Sequence, residues 1–235
     1  MTACDTKPRV KDSEESGRAL RRKIYLVEDH PVFRQGLAQI LNAQKDLTVC
    51  GEAATAEEAL PAVLRLQPDL VVVDITLPGK SGLELIKEVR AKDTKVKLLV
   101  LSMHDEAVYA NRVLRAGADG YIMKQEDSEE IVHAIRDVLG GHMYLSEEVL
   151  GGTHKAAAHA RPEAKGGAIE RLSDVELEVL EAVGRGKGNR EIAQELHLTP
   201  RAVSTHLTEI RKKLRLKSAD ALVRYAVRWV ETGVL

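Results

Sequence analysis

A chain of 235 residues has room for one or two domains, each able to bury its own core. Its 35 basic and 36 acidic side chains leave a formal charge of −1, so any preference for a polyanionic partner must come from a local patch. Two cysteines exclude a disulfide framework, and no apolar run approaches the ~20 residues of a membrane span.

Residues 1–22 are mixed in charge and lack the apolar core of a secretory signal, so a disordered tail and a cytoplasmic setting with no membrane partner are expected. From Lys23, short apolar runs alternate with amphipathic stretches. The runs are IYLV (24–27), LTVC (47–50), LVVV (70–73), KLLVLS (97–102) and GYIM (120–123). Helical periodicity lies between them: 32–41, 56–66, 82–89, 106–114, and Ile131, Ile135, Val138 and Leu139 at the end. Five strands alternating with five helices predict a doubly wound parallel α/β sheet over residues 23–140. A linker is expected over 141–168, because 151–168 is rich in Gly, Ala and Pro and shows no apolar period; a flexible coil of that length spans ~23 Å. Beyond it, residues 169–235 read as four short helices. Ser173 and Glu176 have capping-box spacing, Gly188 or Asn189 opens the next helix, Thr199-Pro200 the third, and the fourth begins near Ser218.

Chemistry concentrates at the C-terminal ends of the predicted strands. In a doubly wound sheet the ends of the first and third strands meet at one crevice, which brings Glu28, Asp29 and Asp74 together. On its own, Asp74 could simply cap the turn Leu77-Pro78-Gly79 that follows it. Three gathered carboxylates repel one another unless a hard cation intervenes, and oxygen ligands with open water positions suit Mg²⁺. Ser102 and Lys124, at the fourth and fifth strand ends, add a hydroxyl and an ammonium, completing a site for a phosphoryl group with Asp74 as nucleophile.

VEDH (27–30), DITLPGKSG (74–82), LSMHDE (101–106) and AGADGYIMK (116–124) together resemble the receiver domain of bacterial two-component response regulators, which has the flavodoxin-like (βα)5 fold. The resemblance implies that Asp74 is the phospho-acceptor. It also implies that Glu28, Asp29, Asp74 and the Thr76 carbonyl hold Mg²⁺, that Ser102 and Tyr121 are switch residues, and that Lys124 binds phosphate. Glu28 stands where many relatives carry Asp and keeps the charge on a longer arm. Haloacid-dehalogenase phosphatases also use a strand-end aspartate but need an acid two residues later, where this chain has Thr76. The expectation is therefore a phosphate receiver rather than an enzyme, with at most slow loss of its own phosphate.

In the third C-terminal helix, Val203, Leu207, Ile210 and Leu214 share one face. Residues 201–217 carry six basic side chains against one acid, Glu209. After the turn LHLTP, this suggests the second helix of a helix-turn-helix, at about 189–208, entering a major groove. The segment RLSDVELEVLEAVGRGKGNREIAQELHLTPRAVSTHLTEIRKKL (171–214) resembles the LuxR-type domain of the NarL/FixJ response regulators. By that likeness Ser204, Thr205 and Thr208 read base edges, while Arg201, Arg211, Lys212 and Lys217 grip phosphates. His206 matches a frequent family histidine that serves either structure or DNA. The family often has lysine where Ser204 stands and basic residues where Val175 stands.

In the last helix Leu222, Tyr225, Ala226 and Trp229 close a core. Val223, Val227, Val230 and Val234 widen the apolar arc to roughly 200°, twice what a surface helix needs, which marks either an interface or deeper packing within its own domain; the family likeness implies that this helix forms a homodimer interface. The expected function is a DNA-binding transcription regulator, phosphorylated on Asp74 by a sensor histidine kinase and dimeric on double-stranded DNA. The alternative is a receiver-type interaction adaptor with little sequence-specific DNA binding. A regulator that binds DNA without phosphate should have lost Asp29, Asp74 or Lys124, and none is lost.

Overall fold

The computed structural model describes residues 21–104, 106–146 and 168–232. The tail over 1–20, the linker over 147–167 and Val234 lie outside the described residues. Strands β1 (Arg22–Val27), β2 (Leu47–Ala53), β3 (Leu70–Val73), β4 (Lys97–Ser102) and β5 (Gly120–Met123) form one sheet in the order β2-β1-β3-β4-β5. Every pairing is parallel. Helices α1 (Pro31–Asn42), α2 (Ala56–Leu66), α3 (Gly82–Lys92), α4 (Glu106–Ala116) and α5 (Ser128–Leu139) supply the crossovers.

Alternation along the strands divides the interior in two. Ile24, Leu26, Leu70, Val72 and Leu99 face α1 and α5, where Leu37, Leu41, Ile131 and Ile135 close the layer. Tyr25, Val27, Val71, Val73 and Val100 face the other way, toward Val63, Ile86 and Val113 of α2, α3 and α4. With both faces covered, β3 is buried at all four positions, which is why it reads as an unbroken apolar run.

Two expected boundaries shift. Arg22 lies in β1, outside the tail, because its N–H donates to Asp46 O at 2.8 Å and its guanidinium pairs with Asp69 at 3.0 Å. The start of the expected linker is not free coil: Tyr144 bridges Gly120, accepting from Tyr121 N–H at 2.8 Å, and Leu145 is buried. An aromatic and a leucine covering the open edge of β5 account for that difference.

The C-terminal unit starts with a 3-10 turn (Ala168–Arg171). Four helices follow: α6 (Asp174–Gly184), α7 (Asn189–Glu195), α8 (Pro200–Lys213) and α9 (Ala219–Thr232). Ser173 and Glu176 form the reciprocal capping box at α6, and Thr199 caps α8 with Pro200 at its start. Helices α6 and α9 cross closely at Gly184, where a Cβ would stand 2.5 Å from Ala226 O. Leu177, Leu180, Ile192, Val203, Ile210 and Trp229 fill this core, which is continuous with the layer beneath α3 and α4. The two units are therefore docked.

Candidate functional site

Register decides what meets at the strand ends. Val27 pairs with Val73, so Glu28 and Asp74 emerge side by side, and Asp74 N–H donates to Val27 O at 2.9 Å. Ser102 pairs with Met123, so Lys124 follows at once, its N–H on Ser102 O at 2.8 Å. Gly82 lets α3 start hard against this rim, since a Cβ there would lie 1.9 Å from Asp74 O.

Asp74 and Glu28 are almost fully buried, at 3% and 4% exposure. Lys124 Nζ bridges them, 2.7 Å from Asp74 Oδ2 and 2.7 Å from Glu28 Oε2. Its ammonium also lies 5.1 Å from the centre of the Phe33 ring. Burial pushes the Asp74 carboxyl up to about 6; Lys124 opposes that rise and Glu28 adds to it. Burial alone would lower the Lys124 ammonium, but Asp74 and Glu28 outweigh it and hold it above its ordinary value.

Ligand atoms of Glu28, Asp29, His30 and Asp74 lie within 4.8 Å of one another. Asp29 Oδ1 is buried and accepts no hydrogen bond, although His30 Nδ1 stands 2.8 Å away. A buried carboxylate oxygen left open beside two further carboxylates is a donor set for a hard divalent cation, so these residues fit Mg²⁺. Thr76 adjoins them, its N–H donating to Asp74 Oδ1 at 3.2 Å.

Ser102 is fully buried and its Oγ accepts from His104 N–H at 3.2 Å. The Tyr121 ring is buried too, its hydroxyl donating to His104 O at 2.6 Å, and burial raises its pKa. Glu28, Asp29, Asp74, Thr76, Ser102, Tyr121 and Lys124 thus lie around one pocket. Three histidines join them that sequence reasoning had not assigned a role. His30 was visible within VEDH and His104 within LSMHDE. His197 comes from the turn between α7 and α8 and places Nε2 2.9 Å from Asp29 Oδ2.

On α8, Val203 and Ile210 are buried, as is Leu214 at its C-cap, while Arg201, Ser204, Thr205, Thr208 and Lys212 are exposed, as is Lys217 after the helix. The hydroxyls of Ser204, Thr205 and Thr208 donate to the helix's own carbonyls four residues back. Asn189 Nδ2 reaches Ser204 Oγ at 3.2 Å. Arg211 is not among the exposed cations: it is half-buried, its Nη2 donating to Lys217 O at 3.4 Å and its Nε enclosed without a partner. His206 is half-buried. On α9, Leu222, Ala226 and Trp229 face the core, whereas Val223 and Val230 remain 47% and 38% exposed and Val227 is intermediate.

Residues 24–136 match the response regulator receiver domain, and residues 170–226 match the luxR family of bacterial regulatory proteins. The oxygen regulatory protein NreC of Staphylococcus carnosus is 36% identical over 215 residues, covering 88% of this chain and 97% of the relative. NreC of Staphylococcus haemolyticus is 35% identical over 213 residues, with the same coverage. Among solved structures, a LuxR-family two-component response regulator from Aurantimonas sp. is 33% identical, with a TM-score of 0.55, covering 59% of this chain and 99% of that one. RcsB from Salmonella enterica, bound to the rprA promoter with phosphomimetic BeF₃⁻, shares the fold: TM-score 0.58, 23% identity, 88% of this chain and 98% of that one. The chain belongs to the NarL/FixJ family of two-component response regulators, with a receiver domain followed by a LuxR-type DNA-binding domain.

Proposed function

We propose that this regulator controls transcription from double-stranded DNA and is switched in the cytoplasm by phosphorylation of Asp74 by a sensor histidine kinase. The supporting observation is the Lys124 ammonium set 2.7 Å from both Asp74 and Glu28 in a buried pocket. One Asp74 carboxylate oxygen attacks phosphorus, forming the O–P bond of an acyl phosphate while the P–N bond of the kinase's phosphohistidine breaks and its imidazole leaves with the bonding pair. Lys124 then moves its charge from carboxylate to phosphoryl oxygen, and the Ser102 hydroxyl turns to donate to another. Glu28, Asp29, Asp74 and the Thr76 carbonyl would hold Mg²⁺, which would supply neutralisation of charge on the transferred group. Loss of the phosphate by water attack is slow, and no other substrate is assigned.

The exposed hydroxyls of Ser204, Thr205 and Thr208 face base edges, while Arg201, Lys212 and Lys217 hold phosphates. Arg211 stabilises the end of α8 before it reaches DNA. Val223, Val227 and Val230 make the homodimer contact that sets two recognition helices on two half-sites. The test is incubation with a small phosphodonor and Mg²⁺: the protein gains an acid-labile phosphoryl group and Asp74→Asn does not. Equal labelling of the variant would remove Asp74 as the acceptor.

A further inference from the structure

Most oxygens of the acidic pocket are already committed. Lys124 Nζ takes Glu28 Oε2 and Asp74 Oδ2, Thr76 N–H takes Asp74 Oδ1, and His197 Nε2 lies 2.9 Å from Asp29 Oδ2. The two remaining carboxylate oxygens, Glu28 Oε1 and Asp29 Oδ1, lie beside one imidazole. His30 Nδ1 stands 3.1 Å from the first and 2.8 Å from the second. Adjacent ligands of a six-coordinate cation with bonds of about 2.1 Å stand about 3.0 Å apart, so the three atoms have the spacing of one shared ion. The Asp29 side chain is only 10% exposed, and its Oδ1 accepts no hydrogen bond.

The start of α1 shows that the ring is not there for the helix. His30 holds the N-cap position, which usually goes to Ser, Thr, Asp or Asn because their oxygens cap the first turn. The His30 ring makes no such bond, and Pro31 restricts its backbone to the extended region, with the imidazole against the two acids instead.

We infer that His30 is a nitrogen ligand of the pocket's cation and gives the site a preference for a first-row transition-metal dication over Mg²⁺. With the ring proton on Nε2, Nδ1 offers its lone pair to an ion held between Glu28 Oε1 and Asp29 Oδ1. Imidazole nitrogen suits Zn²⁺, Fe²⁺ and Ni²⁺, whereas Mg²⁺ favours oxygen alone. One nitrogen among the donors therefore separates cations that carboxylates by themselves distinguish less. The ring is 70% exposed, so an ion can enter on its side without opening the buried cluster around Lys124.

This inference rests on the cation-binding reading of the pocket, and the experiment separates the two. Zn²⁺ and Mg²⁺ binding to the full-length chain is measured by calorimetry for wild type, His30→Ala, His30→Gln and Asp29→Asn. Bound Mn²⁺ is examined in each by electron spin-echo spectroscopy for coupling to a nitrogen nucleus. Both His30 variants should bind Zn²⁺ roughly tenfold or more weakly, at least the cost of losing a group that only supports a metal ligand. Their Mg²⁺ affinity should stay near that of wild type. Wild-type Mn²⁺ should show the nitrogen coupling and both His30 variants should lack it, while Asp29→Asn should weaken both Zn²⁺ and Mg²⁺. Equal Zn²⁺ affinity in wild type and the His30 variants, or loss of Zn²⁺ and Mg²⁺ in step, would overturn the ligand role and leave the cation pocket in place. Zn²⁺ and Mg²⁺ affinities both untouched by Asp29→Asn would overturn the pocket as well.

Discussion

The pocket of the receiver and the recognition helix of the DNA-binding domain are both built from charge, but they handle it in opposite ways. In the pocket, Glu28, Asp74 and Lys124 are withdrawn from water and each depends on the others. On α8 Arg201 and Lys212 stand in solvent, and Lys212 pairs with the half-exposed Glu209 at 2.6 Å. Buried charge responds to any change in its partners, whereas exposed charge responds to salt. The first suits a switch and the second suits contact with a polyanion.

The sharpest way to break that contrast is to remove Lys124. Lys124→Met strands two buried carboxylates and should cost about 3–5 kcal/mol of stability, read as a lower urea midpoint in metal-free buffer. A midpoint within error of wild type would mean the pocket is open to water.

Asp74→Asn should shift stability the other way. A carboxyl raised from 3.8 to about 6 contributes stability that is complete below pH 3.8 and lost as pH climbs through about 6. At pH 7.5 the ionised Asp74 therefore costs up to about 3 kcal/mol, which the asparagine removes. The variant should unfold later than wild type at pH 7.5 and show no such advantage near pH 4. An equal gain at both pH values would remove ionisation as the cause.

Burial within the dock lifts the Glu178 carboxyl to about 8. Its contribution to docking is therefore complete below the ordinary carboxyl value near 4.5 and declines as pH rises to about 8. Scattering should show a more open particle at pH 8.5 than at pH 6, and Glu178→Gln should flatten that dependence. Unchanged dimensions across the range in the wild type would contradict it.

The smallest effects belong to the exposed helix. Lys212→Ala should lower DNA affinity evenly across sequences and reduce the salt slope by about 1, whereas Thr205→Ala should relax preference at one base position. If binding is unchanged in both, α8 does not enter the groove.

The strand runs and the pocket carboxylates were legible because each depends on a short stretch of chain and a fixed topology. Asp74, Glu28 and Lys124 meet for no reason beyond strand order and register. The dock was not legible. His197 and Asp29 are 168 positions apart, and no periodicity links them. Helix α6 was only partly legible: Glu176 was placed as the capping-box partner of Ser173, but nothing in the sequence marked Glu178 and Glu181 as the buried acids they are. Glu176 pairs with Lys213 of α8 and Glu181 with His104 of the receiver, so their partners come from other elements. Tyr144 and Leu145 escaped notice because two residues are too few to carry a period.

The most direct test of control by Asp74 is DNA affinity at one fixed salt concentration, for wild type and Asp74→Asn, with and without Mg²⁺ and a small phosphodonor. The wild type should bind more tightly when the donor is present, and the variant should not respond. An identical response in the two proteins, or none in a wild type shown to carry the phosphoryl group, would contradict it.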